Sequence, residues 1–524
     1  VRSEEKARAI VIRDGFMTIK TRDVLWVVLS GAITALAFPK FNLAFFSWIS
    51  LIPLFLVLSK KNPGRGFLLG WMAGFSYYAV LLYWIPAVPS HYGGLSVPIS
   101  LLIYVGFMCV LGLTWAAFSL CFTQIHKSFP ILSFFLAPFL WVSFELIITH
   151  ILTGFPWGLL GYGQYKNLYF IQMASITGIY GLSFILVLFQ SLFVLSMKTG
   201  KRAPFFATLA LVFLIHVSGF VSIKDIPAHE NSFSAAVIQG NVSSDIQWGQ
   251  LSFEEIESLF NQHLQLSLDA NLKNNDLIIW PEFTVPLCFG CSLGIYQEFK
   301  ERLFQFVQDT GCTLLLGTNE KTETGGEAKY YNTAICLKPD LSQSQYHKIH
   351  LVPFGEYTPY KKVFAFISLM THAIGDITPG DQFTLHEHER IRFGSPICYE
   401  IIFPNLVRKF AKNGASFLVT ITNDGWYGRS SAPYQHFAIA VLRAVENRRY
   451  LLRAATTGVS GIIDPYGRIL SRSELMTRTF LYDTITPLDK NTVYTKHGDV
   501  LPYISLTLTV FFLILAVIKR RNER

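Results

Sequence analysis

Glu282, Lys348 and Cys398 are the residues of this chain whose types and settings could together make a reacting site. Each stands where an apolar, strand-like stretch stops. Glu282 follows Trp280-Pro281, and a proline ends a strand ladder and throws the next side chain out over the strand end, where α/β sites collect. Lys348 opens the run Tyr346-His-Lys-Ile-His-Leu-Val-Pro-Phe-Gly-Glu-Tyr-Thr-Pro359, which carries Glu356 in its Pro/Gly turn. Cys398 ends the stretch Ile391–Ile397, after Pro396 and ahead of a helix near 400–412. A helix N-terminus favours an anion, so this setting is expected to lower the thiol's pKa. The chemistry implied is nucleophilic catalysis, with a carboxylate base for the thiol and a fixed ammonium for a tetrahedral oxyanion. Glu356 would orient either Lys348 or an incoming amine.

Each residue alone has a blander explanation. A lone turn glutamate is usually solvated, a free cysteine usually packs in a core, and most lysines lie at the surface. The order Glu, Lys, Cys, each at a strand end, is much harder to obtain by chance. His347 and His350 invite a metal, but the sequence places no third ligand. Cys288 and Cys291 offer two of the four ligands zinc needs, and fit a tight disulfide or two free thiols equally. No metal and no cofactor are expected. Seven cysteines leave at least one unpaired. His386 and His388, flanking a glutamate, are expected at the surface.

The segment that must position these groups, 223–499, has the pattern of an α/β domain. Strands are expected at Phe233–Gln239, Leu277–Trp280, Thr313–Gly317, Tyr331–Leu337, Ile391–Ile397 and Phe417–Thr422. Helical periodicity over 251–268 places Phe253, Ile256, Phe260 and Leu264 on one face, and 296–309 does the same with Tyr296, Phe299, Leu303 and Phe306. A helix at about 434–449 would turn Phe437, Val441 and Ala444 inward and Arg443, Glu446, Arg448 and Arg449 outward. The stretch 355–385, with an apolar middle, is long enough to be a cover over a site.

The rest of the chain has another character. Of 524 residues 51% are hydrophobic and only 15% charged, which points to an integral membrane protein. Apolar runs fall at about 24–38, 42–59, 66–87, 98–124, 131–150, 168–197, 204–222 and 500–519, most of them near the ~20 residues a spanning helix needs. The first two are short enough to be a partial hairpin. Basic residues cluster in the N-terminal arm, after the second, fourth and sixth runs and in the tail Lys519-Arg520-Arg521, while 88–97 and 151–167 hold only Lys166. That asymmetry writes topology, and it accounts for the net charge of +9 without a nucleic-acid partner. It divides the chain into a cytoplasmic arm (1–23), seven spans (24–222), an extracytoplasmic domain (223–499), an eighth span (500–519) and a cytoplasmic tail (520–524).

These motifs resemble the nitrilase superfamily, built on an α-β-β-α sandwich with a Glu-Lys-Cys triad. With the spans, the whole chain is similar to the bacterial apolipoprotein N-acyltransferase family. The resemblance rests on Gln239-Gly240-Asn241 and Trp248, Trp280-Pro281-Glu282, the 346–359 run, Ile397-Cys398-Tyr399-Glu400, Thr422-Asn423-Asp424-Gly425-Trp426, Gln435-His436-Phe437 and Arg443-Ala444-Val445-Glu446. It implies a polytopic helical membrane domain plus a nitrilase-like sandwich, with Glu282 as base, Lys348 as oxyanion stabiliser and Cys398 as nucleophile. Glu356, Tyr399 and Glu400 would support them, and Trp248, Trp426, Asn423 and Tyr357 would bind substrate. Phe283 departs from the small hydroxyl residue usual there, and the Cys288/Cys291 pair is not a family feature. The implied reaction takes an acyl chain from a phospholipid to the amine of a diacylglyceryl-modified apolipoprotein, in the bacterial inner membrane with the catalytic domain in the periplasm, by a monomer. Rival readings are a membrane-tethered amidase with water as acceptor, and a transporter or membrane receptor whose outer domain only binds ligand; transport would call for ionisable residues mid-membrane, of which Glu145 is the clearest.

Overall fold

The computed structural model describes residues 19–242, 251–271, 275–284, 288–289, 291, 294–324, 327–359 and 377–523. Two compact units divide the chain: residues up to Pro86, Val97–Ser222 and Asp499 onward form one, and Ala87–Ser96 with Ile223–Gly498 the other.

The first unit is helical. Among the described residues five of its helices are long and apolar enough to cross a membrane, by length and composition: Val97–Ser128, Leu132–His150, Ile179–Thr199, Ala203–Ser222 and Val500–Asn522. Helices Thr21–Leu36 and Pro63–Leu81 pack with them through small residues. A Cβ on Gly31 would fall 2.0 Å from the carbonyl oxygen of Ala73, so the backbones meet where no side chain fits. Two expected runs are interrupted. Run 42–59 folds as a 3-10 turn, Ala44–Trp48, and a short helix, Ile52–Leu58. Run 168–197 breaks at Gly178, whose φ of 65° no helix tolerates, leaving two single turns before Ile179–Thr199.

The second unit is an α-β-β-α sandwich. One sheet has the order β13-β1-β2-β4-β5-β6: β1 is Phe233–Gln239, β2 Leu277–Ile279, β4 Thr313–Thr324, β5 Glu327–Leu337, β6 Gln343–His347 and β13 Thr479–Ile485, with β3 (Cys288–Phe289) beside β4. The other has the order β12-β11-β10-β9-β8-β7: β7 is His386–His388, β8 Ile391–Gly394, β9 Phe417–Thr422, β10 Leu451–Ala455, β11 Gly461–Ile463 and β12 Ile469–Arg472. Helices Phe253–Asn271 and Gly294–Thr310 cover the first sheet, where Phe260, Phe299 and Leu303 pack on Ile278, Leu314 and Ile335. Helices Pro404–Lys412 and Ala432–Asn447 cover the second. Between the sheets, Phe233 of β1 meets Phe417 of β9 with ring centroids 5.2 Å apart. Strands closed in on both faces are mostly apolar, as β1, β2 and β9 are.

Several expectations are corrected. Phe253 is exposed rather than inward. Arg443, Glu446 and Arg449 are fully buried rather than outward, because the helix Ala432–Asn447 is enclosed nearly all round. Arg443 pairs with Glu446 at 2.9 Å, and Arg449 donates to the carbonyls of Ala415 (2.6 Å) and Lys490 (3.0 Å). His386 and His388 are buried as well; His386 joins the hydroxyls of Ser344 and Ser395, both at 2.8 Å. Cys288 and Cys291 form a disulfide.

Candidate active site

The carboxyl edges of the two sheets bring the three residues together. Glu282 sits in the turn after β2, and the close approach of β4 requires Gly317, where a Cβ would stand 2.7 Å from the Glu282 Cα. Lys348 follows β6, its amide donating to Asn332 O of β5 at 2.8 Å. Glu356 closes the turn that begins at Val352, whose N–H donates to Glu356 Oε2 at 2.7 Å. Cys398 opens a five-residue 3-10 turn, Cys398–Ile402, with a φ of 50°.

The charged groups form a closed ring. Lys348 Nζ donates to Glu356 Oε1 at 2.8 Å and lies 3.4 Å from Glu282 Oε1. Asn332 Nδ2 donates to the same two oxygens, each at 2.8 Å. The Asn423 amide completes the hold on Glu282 through Oε2 at 2.8 Å. Burial alone would lower the Lys348 pKa, but Glu356 and Glu282 outweigh it and hold the ammonium above the ordinary lysine value. The group is a permanent cation, suited to stabilising an oxyanion and unsuited to acting as a base.

Cys398 is buried within the field of Glu282 and Lys348. Its thiol contradicts the expectation of a lowered pKa. Burial and the negative charge of Glu282 push it well above the ordinary value, with Asp424 adding to them, and Lys348 offsets only part. A buried thiol of this kind needs a base at the moment of attack.

The supporting residues have distinct places. Glu400 accepts from Tyr346 OH (2.8 Å), Ile349 N (2.7 Å) and His350 N (3.0 Å) on one oxygen and Ile397 N (2.7 Å) on the other. Burial pushes its pKa up to about 7 against those donors. It thereby ties the Lys348 strand end to the Cys398 turn. Tyr399 is buried against Phe403, ring centroids 5.2 Å apart, and Tyr357 is half-buried within its electrostatic reach. Asn423 turns its side chain to its own turn, accepting from Gly425 N at 3.1 Å, and offers the site its backbone amide. Trp426 lines a cleft of about 490 Å³ with Tyr92, Asn241, Arg429 and Thr457. Trp248 lies outside the described residues, as does 360–376 of the expected cover. His347 stacks on Tyr331 and pairs with Glu320 at 2.8 Å, while His350 packs on Phe403. Among the described residues no cluster of three or more His, Cys, Asp or Glu could hold a metal.

The residues overlooked in the sequence are polar ones shut inside the domain, two of them within strands. Asn332 interrupts the run Tyr331–Leu337, and a fully buried asparagine at a strand position is a signal that could have been read. Asp424, His436 and Arg453 form a second buried cluster beside Cys398. Arg453 Nη2 donates to Asp424 Oδ2 at 2.6 Å, and against burial the Arg453 guanidinium leads in holding that carboxyl down at about 2.

Comparison with known proteins agrees over both units. Residues 30–192 match the family profile described as apolipoprotein N-acyltransferase N-terminal domain, and residues 234–490 match carbon-nitrogen hydrolase. The apolipoprotein N-acyltransferase of Geobacter metallireducens is 35% identical over 500 residues, covering 93% of each chain. That of Rickettsia prowazekii is 32% identical over 509 residues, covering 93% of this chain and 95% of the relative. The chain belongs to the apolipoprotein N-acyltransferase family.

Proposed function

We propose that this chain moves a fatty acyl group from a phospholipid to the N-terminal amine of a diacylglyceryl-cysteine in an apolipoprotein, through a thioester on Cys398. The observation that carries the reading is the buried Glu282-Lys348-Glu356 ring with the Cys398 thiol in its field, in a chain that matches acyltransferases along nearly its whole length. In the first half-reaction Glu282 takes the thiol proton as sulfur attacks the ester carbonyl. The oxyanion is met by Lys348, whose charge Glu356 secures. Collapse breaks the ester C–O bond, and the proton passes from Glu282 to the departing lysophospholipid alkoxide. In the second, the amine attacks the thioester, the C–S bond breaks, and a proton returns to sulfur by way of Glu282. An amide replaces a thioester, and the two half-reactions alternate in ping-pong order.

Tyr399 and Glu400 hold the nucleophile's turn, while Trp426, Asn423, Tyr357 and Trp248 border the substrates. The distribution of basic residues supports eight spans with 223–499 on the periplasmic side of the inner membrane. Both substrates are lipid-anchored. At about 0.8 kcal/mol per methylene, drawing a sixteen-carbon chain into water would cost on the order of 12 kcal/mol, which an enzyme held in the bilayer avoids. Incubation of the purified protein with phospholipid alone should add one acyl mass, removable by hydroxylamine and absent in Cys398→Ala. An active preparation that acquires no adduct would refute the thioester.

A further inference from the structure

The cluster of Asp424, His436 and Arg453 takes no part in the chemistry above. The three side chains come from the turn Asp424–Tyr427, the helix Ala432–Asn447 and β10, and all are fully buried. His436 Nε2 lies 3.2 Å from the backbone carbonyl oxygen of Cys398. A carbonyl oxygen only accepts, so a hydrogen bond here needs a proton on Nε2. Nδ1 stands 2.9 Å from Asp424 Oδ1 and 3.0 Å from Arg453 Nη2. Burial and the Arg453 guanidinium hold the ring's pKa below the ordinary histidine value, which leaves one ring proton at neutral pH. With that proton on Nε2, Nδ1 accepts from Arg453. An imidazolium would keep the Nε2–H bond and add a second one to Asp424. The donor to Cys398 is present in both of these states; with the only ring proton on Nδ1, toward Asp424 Oδ1, it would be absent.

We propose that His436 is a positioning residue for the nucleophile: its Nε2–H clamps the Cys398 carbonyl and so keeps the left-handed backbone that turns the thiol toward Glu282 and Lys348. A residue with a Cβ seldom holds a φ of 50° unless its surroundings fix it. Without the clamp the peptide relaxes toward an ordinary φ and carries the sulfur off line. Asp424 and Arg453 act one step further back, by holding the ring. The inference rests on Cys398 being the nucleophile.

Two buried amides separate the clamp from mere packing. His436→Gln puts an N–H near where Nε2 stood, whereas the amide of His436→Asn ends near Nδ1 and falls short of the carbonyl. In the full-length protein in detergent, His436→Asn should lower kcat about a hundredfold, the effect of a misplacement of roughly 1 Å. KM for phospholipid should stay within about twofold, as for a loss felt in the transition state. Alkylation of Cys398 by iodoacetamide, read on its own peptide, should change in rate, and His436→Gln should restore both that rate and most of kcat. Equal kcat in the two variants at matched melting temperatures would overturn the clamp. Should His436→Asn not accumulate folded, His436→Gln decides alone: kcat within a few-fold of wild type supports the clamp, and a loss beyond about tenfold overturns it. Alkylation needs no lipid, so the clamp is judged even if Cys398 takes no acyl group in the adduct experiment.

Discussion

The helical unit and the α/β unit both bury charged side chains, but they use them differently. In the helical unit buried polar side chains bond mostly to backbone groups or to one or two neighbours. Lys61 pairs with Asp23 at 2.6 Å, Glu145 accepts from Trp141 Nε1 (2.9 Å) and Leu160 N (2.8 Å), and Gln190 joins Ser47 O (3.0 Å) to Leu51 N (2.6 Å). Apart from the Trp141 bond, which lies within one helix, each ties an irregular stretch to a helix, which is what backbone polar groups shut away from water require. In the α/β unit, besides separate groups such as the Arg443–Glu446 pair, ions are massed at the site. Lys348, Glu282 and Glu356 share one ring, and Asp424, His436 and Arg453 form another beside Cys398. Burying a charge costs several kcal/mol unless it is paired and hydrogen-bonded, so massing them at one edge is explained by chemistry better than by stability.

The largest break in that comparison would come from Lys348→Met. If the ring exists for an oxyanion, its loss should slow acyl transfer by about 10²–10³-fold or more, read as initial rates in mixed micelles, while the protein still inserts. Retention of over a tenth of the activity would place Lys348 with the structural pairs of the helical unit.

A second, smaller effect sharpens the electrostatic account of the thiol. With its pKa raised, Cys398 is almost all thiol at neutral pH, so iodoacetamide alkylation should climb about tenfold per pH unit from 7 to 9 without levelling off. The sign on stability runs the same way. The folded state keeps a proton the unfolded chain would lose, so stability falls as pH rises through the ordinary thiol value of about 8.5. A plateau in alkylation at or below pH 8 would show a thiolate held by Lys348.

That thiol also marks where sequence reasoning stopped. Glu282, Lys348 and Cys398 were legible because proline, glycine and apolar runs announce strand ends locally, and β1 and β9 fall where their apolar runs place them. The direction of the thiol's shift was not, because burial and Glu282 and Asp424 arrive from segments far along the chain. Arg449 misled for a related reason: its charge suggests solvent, but its guanidinium serves carbonyls of two distant loops. His386 in its charged segment misled likewise, with both ring nitrogens taken by serines. Run lengths marked the apolar segments of the helical unit, while the break at Gly178 depended on a conformation that a hydropathy pattern does not carry.

The smallest effect belongs to Glu145, the buried acid that a transport reading would make central. Its Oε1 is the atom that receives both Trp141 and Leu160, and an amide keeps an oxygen there. Glu145→Gln should therefore preserve the attachment of the segment at Leu160 and leave acyl transfer within about threefold of wild type, as for a change remote from the transition state. Glu145→Leu removes the acceptor and strands the Leu160 N–H, a loss of about 1–3 kcal/mol that should lower the melting temperature more than the specific rate. A Glu145→Gln protein that stays folded yet loses activity as deeply as Lys348→Met would mean that the helical unit takes part in the chemistry, and the contrast between the two units would fail.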